Sequence, residues 1–246
     1  MSSTNSTADW LLSFASMASR TWDNQDSTGS LKVNFVHTFQ DSSLQILESN
    51  QLIYTTTTGN KFNIKNLKYY IAKLTLYQNN GAKYDVNMVK LINPMELNTN
   101  YQNYTLANIP NGKYSKISFV FGVDSARNTF PFGLLNNSEN NSMEWPFTLG
   151  GGYHFMMMEG VFQNTKNDTV GYAIHLGVTP NQFYNEFPID LTVNGNDQSI
   201  DMQVNMEQWF NGINKINLND GFGYMMEDQQ KQLLFKQNGV GVFALK

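Results

Sequence analysis

The residues best suited to chemistry lie in one stretch, Met143-Glu144-Trp145-Pro146-Phe147-Thr148-Leu149-Gly150-Gly151-Gly152-Tyr153-His154-Phe155-Met156-Met157-Met158-Glu159-Gly160. Read as a strand from Tyr153 onward, alternation places His154, Met156 and Met158 on one face and Tyr153, Phe155 and Met157 on the other. One imidazole beside two thioethers is a soft-to-borderline donor set that suits copper, Cu(I) above all. The competing reading is packing, because methionines fill irregular cores well. Pro146 biases Trp145 towards an extended backbone, and the three glycines that follow permit tight curvature and close backbone approach.

The chain has 246 residues, three histidines and no cysteine. Without thiolates, a histidine-based site is the main transition-metal option left. His175 lies in Tyr172-Ala173-Ile174-His175-Leu176-Gly177, and His37 in Val33-Asn34-Phe35-Val36-His37-Thr38. On alternation His37 shares a face with Val33 and Phe35, and His175 with Ala173. Each could be a core histidine satisfied by a backbone carbonyl. Three imidazoles from three strands could equally converge on one metal, with Met156 or Trp145 nearby.

The elements that must position these side chains read as strands. From Leu31 onward, apolar residues alternate through Val33 and Phe35 and again through Leu44 and Ile46, the pattern of strands buried on one face. Residues 67–77 are rich in aromatic and β-branched side chains. Asn79-Asn80-Gly81 closes that run as a turn, because Asn and Gly tolerate positive φ, and Val86 to Ile92 reads as the returning strand. Asn108-Ile109-Pro110-Asn111-Gly112 is a further turn. Strands then follow over Ile117–Val123, Tyr153–Phe162, Val170–Val178, Phe187–Val193 and Ser199–Val204, the last two joined as a hairpin through Asn194-Gly195-Asn196. Helix is expected only in short connections, over Met206–Phe210 and Glu227–Phe235. Short strands with frequent turns predict an all-β chain, an antiparallel, Greek-key-like β-sandwich with long loops. Residues 1–30 read as a polar arm with one short helix from Trp10 to Ser19, and residues 31–246 as the sandwich domain.

Composition excludes several functions. Charged residues make up 15% of the chain and the net charge is −4, which argues against a phosphate-binding surface and hence against nucleic acid. No stretch reaches the roughly 20 apolar residues of a membrane-spanning helix. The apolar run Trp10–Ala18 follows Asp9 where a signal peptide has positive charge, so either the chain stays in the cytoplasm or its export signal lies outside this sequence. No G-x-S-x-G elbow, H-E-x-x-H or Walker loop occurs, so no enzymatic activity is expected. Gly239-Val240-Gly241-Val242-Phe243-Ala244 fits a dinucleotide fingerprint by chance, since only two residues follow it and the motif needs a helix there. Asp124 and Arg127 read as a turn with an ion pair, and Asn219-Asp220-Gly221 as a turn without the alternating acidic ligands of a calcium loop. The Asn-X-Ser sequons of residues 136–142 could accept glycans only in a eukaryotic secretory setting.

Taken in order, several segments resemble the methanobactin-associated MbnP-like copper-binding family, in particular its Bacteroidota branch. They include Val33-Asn34-Phe35, Leu67-Lys68-Tyr69-Tyr70-Ile71, Ile109-Pro110-Asn111-Gly112-Lys113-Tyr114 and Phe121-Gly122-Val123-Asp124-Ser125. Trp145-Pro146, Gly152-Tyr153-His154-Phe155-Met156, Glu159-Gly160, His175-Leu176-Gly177 and Met202 to Phe210 continue the match, and Gln237 to Phe243 ends it. The resemblance implies a periplasmic or outer-membrane-anchored lipoprotein that binds copper, as Cu(I) or Cu(II), for its acquisition or handling. It also implies that Trp145 is the position a partner dihaem peroxidase-like enzyme oxidises to kynurenine, and that His37, His154 and His175 are the metal ligands. Many relatives carry W-x-W before the G-Y, whereas Phe147 stands at the second position here. The alternative function is a metal-independent surface sandwich that binds glycan or protein.

Overall fold

The computed structural model describes residues 27–96 and 102–246. The helix expected over Trp10–Ser19 lies outside the described residues. In chain order the strands are β1 (Thr28–Phe39), β2 (Ser42–Ser43), β3 (Tyr54–Thr55), β4 (Lys61–Phe62), β5 (Asn66–Gln78), β6 (Lys83–Ile92) and β7 (Asn103–Pro110). They continue with β8 (Gly112–Phe121), β9 (His154–Gln163), β10 (Thr169–Gly177), β11 (Phe183–Val193), β12 (Asp197–Asn205) and β13 (Phe243–Leu245). Short helices α1 (Ser138–Asn141), α2 (Gln208–Asn211) and α3 (Gln229–Gly239) occupy connections. The first strand opens at Thr28, a little before the boundary expected at Leu31.

Two sheets pack as a sandwich. The smaller holds β13, β12, β1 and β2, with β7 also on β1; the larger holds β11, β8, β5, β9, β4 and β3, with β10 on β9 and β6 on β5. Most ladders are antiparallel, but β1 and β12 run parallel from Ser30↔Asp197 to Thr38↔Asn205. Aromatic rings seal the interior. Phe35 of β1 meets Tyr69 of β5 and Phe119 of β8 edge-on, at centroid distances of 6.4 and 6.2 Å, and Phe243 reaches the same Phe119 at 5.2 Å. Such pairs add specific geometry to the area that the rings bury.

The hairpin β5–β6 forms across Asn79-Asn80-Gly81 as expected, and β9 and β10 pair as a second one. One expected hairpin does not form. The Asn194-Gly195-Asn196 turn carries the chain from β11, paired with β8 in the larger sheet, to β12, paired with β1 in the smaller. A turn motif reports only a reversal of the chain; which sheet receives the next strand is decided by long-range pairing. The turn before Gly112 likewise crosses between sheets, from β7 to β8.

Candidate functional site: a buried histidine pair under Trp145

A bulge decides where His154 points. Along β9 the register runs His175↔Met157 and Leu176↔Met156, then jumps to Gly177↔His154, so Phe155 is the extra residue. An inserted residue reverses the faces beyond it. The expected common face for His154, Met156 and Met158 is therefore not formed. Met156 pairs with Tyr69, whose ring packs against the smaller sheet, and so faces the core. His154 turns to the outer face of the larger sheet, beside His175.

There the two imidazole centroids lie 4.7 Å apart with the rings at 87°. The Trp145 indole sits 4.8 Å from the His154 ring. All three side chains are buried, with relative exposures of 0% for Trp145, 5% for His154 and 8% for His175. Local sequence explains the arrangement. Gly150, Gly151 and Gly152 all have positive φ, 111°, 69° and 89°, which L side chains adopt at a cost. They fold the loop back so that the Trp145 N–H donates to the Gly152 carbonyl and the His154 N–H to the Met143 carbonyl. The indole Nε1–H donates to the Leu149 carbonyl at 3.1 Å. Beneath the ring lies Gly177, where a β-carbon would stand 2.3 Å from Trp145 Cε3.

Hydrogen bonds assign a role to each ring nitrogen. His154 Nδ1 is 3.2 Å from the Met143 carbonyl oxygen. A carbonyl only accepts, so Nδ1 carries the proton and Nε2 keeps its lone pair. That Nε2 is buried with no hydrogen-bond partner. His175 Nε2 lies 2.8 Å from Glu159 Oε1, and the other carboxylate oxygen accepts from Asn66 Nδ2 at 2.9 Å. His175 Nδ1 faces Met226 Sδ at 3.2 Å. Burial, reinforced by the neighbouring His175, lowers the His154 pKa to about 4. The hydrogen bond from His175 and that from Asn66 hold Glu159 below its ordinary value against the opposing effect of burial.

The loop that carries Met226 is tied to the end of β10. Buried Gln232 of α3 accepts from Gly177 N (3.2 Å) and Asn181 Nδ2 (2.8 Å) through Oε1, and donates to the Met226 carbonyl (2.7 Å). Val178, next to Gly177, has φ 58°, a strained value for a β-branched residue. That strain lies directly after the segment carrying His175 and Gly177.

His37 is not brought to this pair. It projects from β1 between the sheets, where Nε2 lies 2.9 Å from the Tyr69 hydroxyl, on the opposite face of the larger sheet from His154 and His175. Burial lowers its pKa to about 4. It borders a cleft with Leu44, Ile46, Glu48, Pro94 and Met95. Convergence of three imidazoles fails because strand alternation fixes only faces within one sheet, and the His37 strand belongs to the other sheet. Among the described residues, no three His, Cys, Asp or Glu side chains cluster as a metal site. Asp124 and Arg127 form the expected ion pair, 3.2 Å apart. Sequence reasoning passed over Glu159, Met226, Gln232 and Gly177. Glu159 alone had a signal, since it alternates with Met157 on the face that His175 shares.

Fold and site together define a β-sandwich with a buried two-histidine, one-tryptophan cluster on the outside of its larger sheet. A model of the MbnP family matches residues 28–227, and the chain belongs to that family. Among solved structures, MbnP from Methylosinus trichosporium is similar in fold, with a TM-score of 0.50 and 10% identity, over 74% of this chain and 77% of that one. No curated protein sequence matches the chain. No helix among the described residues is long and apolar enough to cross a membrane.

Proposed function

We propose that this protein binds one copper ion through His154 Nε2 and His175 Nδ1 beneath Trp145, without being an enzyme. The observation that carries the reading is the buried, partnerless Nε2 of His154, 4.7 Å ring to ring from a second histidine. A buried polar atom without a partner is costly, and a lone pair held in place by a hydrogen bond on the opposite nitrogen is how proteins prepare an imidazole for a metal. For His175 the orienting group is Glu159, for His154 the Met143 carbonyl. The ion supplies the positive charge that both lone pairs lack. Imidazoles in an apolar, thioether-containing surround favour copper over harder cations. Copper acquisition or handling after export, and a peroxidase-like partner acting on Trp145, belong to the same proposal by family kinship.

The test is titration of metal-free, untagged protein with Cu(I) against a chromophoric chelator. One equivalent is expected to bind, and His154→Ala or His175→Ala to weaken it by at least about 100-fold. His37→Ala is expected to leave affinity within about 3-fold, because its ring lies on the other face of the sheet. Unchanged affinity in the His154 or His175 variant overturns the proposal.

A further inference from the structure

We infer that the outer face of the larger sheet carries a second site, over β5, β8 and β11, that binds a neutral saccharide with the Tyr184 ring as platform and Glu186, Lys116 and Asn79 as hydrogen-bonding groups. The site shares no residue with the histidine pair and does not rest on the copper reading.

Alternation and register set this face. Phe119 of β8 packs on Phe35 of the smaller sheet, so Lys116 and Ser118 of the same strand point the other way. The ladders then align two rows across four strands. Lys83 of β6 pairs with Tyr77 of β5, Tyr77 with Lys116 of β8, and Lys116 with Pro188 of β11. Asp85, Thr75, Ser118 and Glu186 form the adjacent row. Tyr77, Gln78, Asn79, Lys116, Glu186 and Pro188 line a cleft of about 560 Å³, a volume within the range of small-molecule sites.

The hydroxyls beside this cleft have a fixed order. Tyr184 Oη donates to Glu186 Oε2 at 3.2 Å. A carboxylate only accepts, so the Tyr184 proton is committed, and Tyr77 is the donor in the 3.0 Å contact between the two phenols. Ser118 Oγ donates in turn to Tyr77 at 3.2 Å. Lys116 Nζ lies 3.0 Å from the same Glu186 oxygen and 4.2 Å from the centre of the Tyr77 ring, and Lys83 Nζ lies 5.1 Å from that centre. Ammonium groups thus cover Tyr77, whereas Tyr184 is 51% exposed.

Stability does not account for this arrangement. The Lys116–Glu186 pair is itself well exposed, where an ion pair contributes little, and holding such long side chains in one geometry costs rotamer entropy. Recognition accounts for it, because groups ordered before binding lose less entropy on binding. Charge selects the ligand class. Lys83 and Lys116 are matched by Glu186 and by Asp85, which accepts from Thr75 Oγ1 at 2.6 Å, so the two rows carry no net charge and favour neither an anion nor a cation. Donors, acceptors and an exposed aromatic ring suit a pyranose, whose hydroxyls donate and accept and whose C–H face lies against an aromatic ring.

Calorimetric titration of the protein with cellohexaose, maltohexaose, xylohexaose and mannohexaose tests this, with hexagalacturonate as the acidic comparison. At least one neutral chain should bind with a Kd below about 1 mM. Tyr184→Ala should weaken that binding by about 10-fold or more, and Glu186→Gln, of nearly equal volume, by about 5- to 10-fold. Phe132→Ala, at a side chain exposed elsewhere on the surface, should leave it unchanged, which separates a site from general adhesion to apolar groups. The unfolding midpoint and Cu(I) affinity of Tyr184→Ala should match the native protein. Binding of none of the neutral chains, tighter binding of hexagalacturonate, or native saccharide affinity in both Tyr184→Ala and Glu186→Gln overturns the proposal and leaves the histidine site standing.

Discussion

Replacing Gly177 with alanine tests the packing that holds Trp145 against the histidine pair. The added methyl carbon would lie 2.3 Å from Trp145 Cε3 and 2.6 Å from both Cδ2 and Cζ3, far inside contact distance. The obstacle is a rigid fused ring, fully buried and tethered at Nε1 to the Leu149 carbonyl, so it cannot yield by a rotamer change. The Gly177 backbone lies outside the left-handed region, which leaves the penalty steric. Overpacking of this kind costs about 1–3 kcal/mol, and the rigidity of the neighbour argues for the upper half, about 2–3 kcal/mol. For a chain of this size that lowers the melting temperature by roughly 4–12 °C. Gly171→Ala in the same strand is the control, because its nearest neighbour is the Tyr224 hydroxyl at 3.4 Å, and it should shift stability by less than about 0.5 kcal/mol. Thermal and denaturant unfolding followed by tryptophan fluorescence reads both, with Cu(I) titration beside it. Gly177→Ala should also weaken copper, since the indole must leave the His154 ring. A Gly177→Ala protein as stable as the control, with native copper affinity, would refute the account of how the site is closed.

Two further outcomes follow from the same geometry. The pKa of His37 and that of His154 are each lowered to about 4 from an unfolded value near 6.5, so both stay neutral in the folded protein while the unfolded chain takes up protons. Their stabilisation is complete above about pH 6.5 and is lost as pH falls towards 4, by up to about 2 kcal/mol each at pH 5; denaturant midpoints of metal-free protein should fall accordingly between about pH 7 and 5, and a flat profile would contradict the burial of both rings. Glu159→Gln keeps the side-chain volume but removes the charge that orients His175, so Cu(I) affinity should fall about 10-fold with the unfolding midpoint little changed, whereas equal affinity would show that the carboxylate plays no part in preparing the ring.

Much of the fold was readable because it rests on local rules. The β5 strand announces itself through its aromatic and β-branched residues and β10 through the alternation of Val170, Tyr172 and Ile174, and the Asn79-Asn80-Gly81 turn closes the β5–β6 hairpin with Gly81 at φ 87°. The glycines 150–152 also acted as expected, curving the loop under Trp145. Faces and partners were less readable. A single extra residue at Phe155 reversed His154 relative to Met156, and no local pattern in the sequence marks such a bulge. The Asn194-Gly195-Asn196 turn read as a hairpin, yet it joins two sheets, because pairing with β1 or β8 is settled by residues far away along the chain.

From the residue types alone it was already determined that cysteine chemistry is absent, that histidine and methionine are the available soft donors, and that Trp145 and His154 lie in one curved segment. Tertiary structure alone decided which donors meet. It separated His37 from the pair by placing it on the other side of a sheet, sent Met156 into the core, and set Glu159 and Met226 against the two nitrogens of His175. The physical reason is that composition and periodicity act over a few residues, whereas a site is built from lone pairs and protons whose positions depend on strands paired across the whole chain.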